Sequence, residues 1–293
     1  MSVQPFSIGV ITDSFRIPFA QAVQAAAQMG VTGVQIGAVG GELDPMTITA
    51  AEIAEKKALL QSAGLIVSAL CGDFGGGFFD PQKNPTQIEK SKRVIDLALQ
   101  MGTNIVTTHI GVVPEEENET YRIMQQACNE LAEYAFRNGA YFAVETGPEK
   151  AVVLKRFLDS LDTKGVAVNF DPANLVMVVD DDPVAAVHTL KDYIVHTHMK
   201  DGYLVKKTDP HRIYAQIDEG GIDSRELNQY FIETPLGEGN VDIPAYLNAL
   251  YEVGYHGFLT IEREVGPTPA ADIQKAVDTL RAALKNFPVE KTL

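Results

Sequence analysis

Four residues in the second half of the chain carry side chains able to hold a divalent cation or to move a proton: Glu145, Asp171, His198 and Glu262. Each lies at or near the end of a short apolar run: Tyr141-Phe-Ala-Val-Glu145, Val166-Ala-Val-Asn-Phe-Asp171, Ile194-Val-His-Thr-His-Met-Lys-Asp201 and Gly257-Phe-Leu-Thr-Ile-Glu262. Such runs read as strands, and side chains on a strand alternate between its faces. In the third run His196, His198 and Lys200 therefore share one face, while Tyr193, Val195 and Met199 share the other. A polar face this far from a turn has to line something. Three carboxylates and one imidazole form an oxygen-rich donor set of the kind that suits manganese or magnesium.

The elements that must bring these four together follow from the rest of the chain. Apolar, β-branched runs alternate with segments of helical period, the pattern of repeated βα units around a parallel sheet. Eight runs are found, at 7–12, 33–37, 65–71, 103–109, 141–145, 166–171, 194–201 and 257–262. Helices are expected at about 18–29, 49–64, 86–101, up to 161, from 182–183, 243–253 and 270–287. Eight βα units predict an α/β fold, a (β/α)8 barrel, formed by one domain over residues 1–293. In such a barrel all strand ends carrying the four residues meet on one face, where (β/α)8 enzymes build their sites.

Composition narrows the partners. Net charge is -15, and no basic run of the kind that grips nucleic acid or an anionic membrane is present. No apolar stretch approaches the roughly 18 residues of a membrane span, and the start of the chain lacks a signal-peptide pattern. Cys71 and Cys128 fall in a strand and a helix, so a disulfide framework is not implied and the cytoplasm is the expected location.

The segments His196-Thr-His-Met-Lys-Asp201, Phe170-Asp-Pro-Ala-Asn174, Leu236-Gly-Glu-Gly-Asn-Val-Asp242 and Gly254-Tyr-His-Gly-Phe-Leu-Thr-Ile-Glu262 occur in this order. On them the chain resembles the sugar phosphate isomerase/epimerase family, the xylose-isomerase-like TIM barrels that include ketose 3-epimerases, inosose-processing enzymes and, more distantly, endonuclease IV. The resemblance covers nearly the whole length. It implies that Glu145, Asp171, His198 and Glu262 hold one divalent metal, manganese foremost, with magnesium, cobalt or zinc as alternatives. It further implies that Glu145 and Glu262 are the acid/base pair. Abstracting a proton beside a carbonyl requires stabilising the developing enediolate, which a Lewis-acid metal does, and two carboxylates can then remove and return protons. The expected activity is a metal-dependent isomerase or epimerase of a sugar, sugar phosphate or related keto sugar. An inosose-type dehydratase or other lyase is the alternative, with a repair nuclease or a non-catalytic sugar-binding barrel behind it. A small-molecule substrate is expected, no nucleic-acid or membrane partner, and a homo-oligomer is left open.

Two departures from the family bear on the substrate. Asn174 stands where the epimerases often carry histidine. The nuclease's third-strand histidine has no counterpart around 71–73, although His109, Asp209 and His211 fall where other zinc ligands of that enzyme would. The substrate-binding candidates are His109, Asn174, Lys200, His211, Arg212 and Phe74. The glycine- and aromatic-rich loop 72–80, with Phe74, Phe78 and Phe79, and the segment 209–212 of the long connection 202–235 are expected to cover the mouth of the pocket. That glycine loop lacks the lysine and hydroxyl residue of a phosphate-binding P-loop. For a phosphorylated substrate the cationic candidates are Lys200, Lys206, Lys207 and Arg212, and His196 is expected to support the metal site from below.

Overall fold

The computed structural model describes residues 2–215, 220–288 and 290–291. Eight parallel strands close into a barrel: β1 Ser7–Ile11, β2 Gly33–Gly37, β3 Ile66–Cys71, β4 Ile105–Thr108, β5 Tyr141–Glu145, β6 Val166–Phe170, β7 Ile194–Met199 and β8 Phe258–Ile261. All eight coincide with the runs read from sequence. β8 closes the ring by pairing Phe258 with Ser7 of β1 on one side and Leu259 with Thr197 of β7 on the other. The expected (β/α)8 architecture is what the chain forms.

Among the described residues, eight helices of eight residues or more follow the strands: α1 Phe19–Gln28, α2 Ala50–Ser62, α3 Asn84–Met101, α4 Glu119–Arg137, α5 Ala151–Asp159, α6 Pro183–Leu190, α7 Ile243–Glu252 and α8 Pro269–Leu284. Their starts are set locally. Thr49 and Glu52 form a reciprocal capping box at α2, and Asp182 accepts from the Val184 amide at 2.9 Å just before the proline that opens α6. The sequence reading places Cys128 in a helix without giving its bounds; α4 supplies them. Its buried face, Tyr121, Met124, Cys128, Leu131 and Ala135, repeats every three or four residues. Covering one such large apolar side chain is worth roughly 1.5–3 kcal/mol, which ties α4 to the wall of the barrel.

The long connection after β7 is not an irregular loop throughout. It leaves β7 as strand Asp201–Leu204, carries a short helix Pro210–Tyr214 and a 3-10 turn Ser224–Gln229, and returns as strand Phe231–Thr234. The two strands pair antiparallel with Asp201 opposite Thr234, making a hairpin that stands on the carboxyl rim. Among the described residues, no helix is long and apolar enough to cross a membrane.

Candidate metal centre and cavity

The carboxyl rim surrounds a cavity of about 750 Å³, and the four ligand-competent residues converge at its floor. Glu145 is the last residue of β5, Asp171 follows β6, His198 lies within β7 and Glu262 follows β8. One ligand atom from each lies within 4.8 Å of the others, the one such group of three or more among the described residues. His198 Nδ1 is 3.2 Å from Glu262 Oε2, 3.5 Å from Asp171 Oδ2 and 3.6 Å from Glu145 Oε2. His198 Nδ1, Asp171 Oδ2 and Glu262 Oε2 are buried without a hydrogen bond. Buried polar atoms are almost always paired. Three that converge without a hydrogen bond, one of them, Glu262 Oε2, ion-paired with Lys200 Nζ at 3.0 Å, offer two carboxylates and an imidazole to a divalent cation.

The surrounding side chains fix which atoms face inward. The Thr107 hydroxyl accepts a hydrogen bond from Gln35 Nε2 at 3.2 Å, so the Gln35 carbonyl oxygen turns to His198 Nε2 at 3.0 Å. Nε2 must then carry a proton, so Nδ1 is the nitrogen whose lone pair a cation bound at the site would take in place of a proton. Asn169 Nδ2 also approaches Nε2, at 3.2 Å, but it donates to Glu145 Oε2 at 3.1 Å, so that approach is a contact between two donors. Asn169 is oriented in turn by His196 Nδ1, which donates to its Oδ1 at 2.9 Å, while the Thr260 hydroxyl donates to His196 Nε2 at 3.0 Å. His196 thus lies beneath the site and acts on Glu145 through Asn169, the position read for it from the strand's alternation. Asp171 Oδ1 accepts from the amides of Ala173 and Asn174 at 2.7 and 2.9 Å, which commits one oxygen to the turn and leaves the other for the site. None of Gln35, Thr107 or Asn169 is singled out by the sequence reading. The available signal was a neutral polar residue at an inward position of an otherwise apolar strand.

The electrostatics favour a positive charge at the centre. Burial opposes ionisation of His198, yet Glu262 and Glu145 raise its proton affinity well above that of free imidazole. Burial also opposes charge on Glu145 and Glu262, but the neighbouring His198, with His109 for Glu145 and Lys200 for Glu262, brings both below the usual carboxylate range. His196, buried and beside the charged His198, is pushed well below the usual imidazole range and stays neutral.

The substrate candidates divide. His109, Asn174 and Lys200 line the cavity. Asn174 Nδ2 donates to Glu145 Oε1 at 2.9 Å. His109 Nδ1 is 2.8 Å from Asp73 Oδ2, and its Nε2, unpaired, faces Glu145 Oε1 at 3.8 Å. Burial works against its charge, but Glu145 and Asp73 raise it to about 9. Lys200 Nζ is 3.0 Å from Glu262 Oε2 and also pairs with Glu264.

His211, Arg212 and Phe74 do not line the cavity. His211 and Arg212 are exposed, because the short helix turns Ile213 and Tyr214 inward instead. Asp209, grouped with them in the comparison with zinc nucleases, caps that helix by accepting from the His211 amide. Phe74 is half-buried against the core with Lys90 over its ring at 5.6 Å, Phe78 is buried edge-on to Phe142, and Phe79 is exposed. What that loop offers the cavity is Asp73 and the backbone of Gly75, Gly76 and Gly77. Lys206 and Lys207 are exposed outside it, Lys207 paired with Asp180 at 2.6 Å.

The Leu236–Asn240 motif has a structural role. Asp201 Oδ2 accepts from the amides of Gly237 and Gly239, both at 2.9 Å, and Oδ1 from those of Gly202 and Val241 at 2.8 and 3.1 Å. A side chain on residue 239 would bring its Cβ within 2.1 Å of Asp201 Oδ1, so only glycine fits. On the other strand of the hairpin, Glu233 holds Arg263 at 2.6 Å, and Arg263 also pairs with Asp272 at 2.9 Å.

A closed parallel barrel with its charged side chains gathered on the carboxyl rim is the architecture of the (β/α)8 enzymes. The chain belongs to the xylose isomerase-like TIM barrel family, whose profile matches residues 23–283. It is 26% identical to a xylose isomerase domain protein from Planctomyces limnophilus, with a TM-score of 0.76 and 97% of each chain covered. An inosose dehydratase of Lacticaseibacillus casei is 26% identical over 132 residues, 45% of this chain and 42% of that protein, so the chain spans less than half the length of this relative. A D-tagatose 3-epimerase-like protein shares the fold at 18% identity, with a TM-score of 0.73 and 96% and 97% of the two chains covered.

Proposed function

We propose that this chain is a divalent-metal-dependent enzyme that moves a proton at a carbon beside the carbonyl of a small sugar or related keto polyol, as an epimerase or isomerase. The observation that carries the reading is the convergence of Glu145, Asp171, His198 and Glu262 with three buried atoms that lack a hydrogen bond turned toward one another. A divalent ion held by these four would supply Lewis-acid stabilisation of the negative charge that develops on the substrate's oxygens.

The chain's own residues do the rest. Glu145 and Glu262 are both ionised and border the same cavity, so one can take the proton and the other return it, or one can carry it between neighbouring carbons. Asn169 and Asn174 each donate to one oxygen of Glu145, which fixes that carboxylate and weakens its basicity. Lys200, ion-paired with Glu262 Oε2 at 3.0 Å, lowers the basicity of that carboxylate through its charge. The cavity favours an unphosphorylated substrate. Its two long cations, Lys200 and Arg263, are already paired, Lys200 with Glu262 and Glu264 and Arg263 with Glu233 and Asp272, while Asp13 and Asp73 add negative charge to the lining.

A dehydratase is the second reading, favoured by one observation besides the relative of that name. His109, held by Asp73 and facing Glu145, is a third group able to hand a proton to a departing hydroxyl. One experiment addresses both readings. Manganese-loaded protein is incubated with free ketoses, their phosphates and inososes in deuterated water. Solvent deuterium beside the carbonyl with mass otherwise unchanged marks epimerisation or isomerisation, and a product lighter by one water marks dehydration. Glu145→Gln and Glu262→Gln are each expected to lower turnover by roughly 10²–10⁴-fold. Full activity in both would refute the two-carboxylate mechanism.

A further inference from the structure

Among the described residues, the long connection after β7 sends into the cavity one side chain, Tyr214, whose polar end has no hydrogen bond. Tyr214 closes the short helix Pro210–Tyr214. That helix is held in place by the Ile222 amide, which donates to the Arg212 carbonyl at 2.7 Å, and Ile213 and Tyr214 pack against the core. The Tyr214 ring lies against the His109 ring, centroids 5.4 Å apart and planes at 42°. Its hydroxyl reaches over the exit of β5, where the residue two beyond Glu145 is Gly147. A methyl group on Gly147 would fall 2.8 Å from the hydroxyl oxygen and 2.3 Å from Asn174 Cβ, and the backbone there has φ 134. Glycine therefore leaves the space that lets a phenol approach Asn174 and Glu145. Among the described residues, no group hydrogen-bonds this hydroxyl, although Asn174 beside it is committed to Glu145. Burial, reinforced by the negative charge of Glu145, keeps the phenol protonated, so it is a donor.

We propose that Tyr214 is the residue through which the long connection reads the substrate: its hydroxyl donates a hydrogen bond to one oxygen of a sugar lying against Asn174 and Glu145, and selects for sugars oxygenated at that carbon. The inference rests on the reading of the cavity as a sugar site. The ring tilted against His109 forms the wall, and the hydroxyl supplies specificity. A site that hydrogen-bonds a particular hydroxyl discriminates against analogues lacking it far more strongly than an apolar wall does.

The test is calorimetric binding of D-fructose, D-psicose, D-tagatose, D-sorbose and scyllo-inosose to the full-length, Mg²⁺-loaded protein and to Tyr214→Phe. The monodeoxy derivatives of whichever sugar binds most tightly are then measured. Phenylalanine keeps the ring against His109, so the urea midpoint is expected to be unchanged. The expected result is a roughly tenfold weaker affinity of Tyr214→Phe for that sugar, with one deoxy derivative bound equally by both proteins. Equal binding of every sugar by both proteins overturns the inference and leaves the sugar reading standing. A uniform loss across all deoxy derivatives also overturns it, since the tyrosine would then act by packing alone. If the wild type binds none of the sugars, the sugar reading falls and takes the inference with it.

Discussion

Replacing Gln35 by leucine tests the site through a residue that touches no ligand position itself except His198. The substitution keeps side-chain length and volume close to native, and residue 35 is 2% exposed, so water does not replace the lost carbonyl. It removes the acceptor 3.0 Å from His198 Nε2 and the donor 3.2 Å from the Thr107 hydroxyl. The Nε2 proton is then buried beside Asn169 Nδ2, itself a donor at 3.2 Å, with nothing to receive it. An orphaned buried donor costs about 1–3 kcal/mol, which corresponds to roughly 5- to 150-fold in an equilibrium constant. Without a cation the imidazole escapes this cost by giving up the Nε2 proton and keeping one on Nδ1, the atom that faces Asp171 and Glu262; with a cation on Nδ1 it cannot. The whole penalty therefore appears as weakened cation binding, in line with the 10- to 100-fold usual for residues that orient a metal-bound histidine. Manganese affinity is measured by titration calorimetry and by the loss of the free-ion electron paramagnetic resonance signal. Urea unfolding of the metal-free protein confirms that the barrel is intact. A folded Gln35→Leu protein that binds manganese as tightly as wild type would refute the argument that the Gln35 carbonyl sets the His198 tautomer.

Two further predictions concern stability. Asp201→Ala strands four backbone amides that now converge on one carboxylate, and is expected to lower unfolding free energy by about 2–4 kcal/mol in urea titrations; a loss below the scatter of the measurement would mean that the loop 236–241 holds its shape without it. Glu149 is buried, accepts from the Val113 amide at 2.9 Å, and is pushed up to about 8 by burial, against 4.5 for a free glutamate. Its stabilising contribution is therefore complete below about pH 4.5 and is lost as pH rises through about 8. Glu149→Gln keeps the acceptor for Val113 but cannot ionise. The variant should gain on wild type across that window, and parallel stability curves from pH 4 to 9 would rule the account out.

How much was legible in the sequence depends on whether a residue's role follows from periodicity. All eight strands were found because a buried parallel strand is an almost unbroken apolar run, and the four ligand-competent residues were found because each interrupts or ends such a run with charge. His196 was placed correctly by the same alternation. Gln35 and Asn169 were missed although they obey the same rule, because a single amide carries no chemistry of its own; only the neighbour that needs it reveals it. The loop residues fared worst. In a helix of one turn, Pro210–Tyr214, nothing in the order of residues tells which side meets the cavity, and the charged pair His211-Arg212 drew attention that belonged to Ile213-Tyr214. The same applies to the loop 72–80. Its aromatics pack outward or into the core, and the small residues between them form the wall. The motif at 236–240 was correctly taken as a family mark, but its glycines serve Asp201 and not a ligand.

The hairpin that rises from β7 has its two feet clamped by separate devices, Asp201 inside its ring of amides and Glu233 on Arg263. Neither clamp uses a residue of the Glu145–Asp171–His198–Glu262 cluster. The segment borne between the feet can thus diverge in length and composition at little risk to the four-residue cluster beneath it, much as a tool head can be exchanged on a fixed handle. Drift in what the cavity accepts is then to be expected between 205 and 230 long before the strand ends change. Grafting that stretch from a relative, with Asp201 and Glu233 retained, is a direct route to barrels that keep the cluster and change what the cavity accepts.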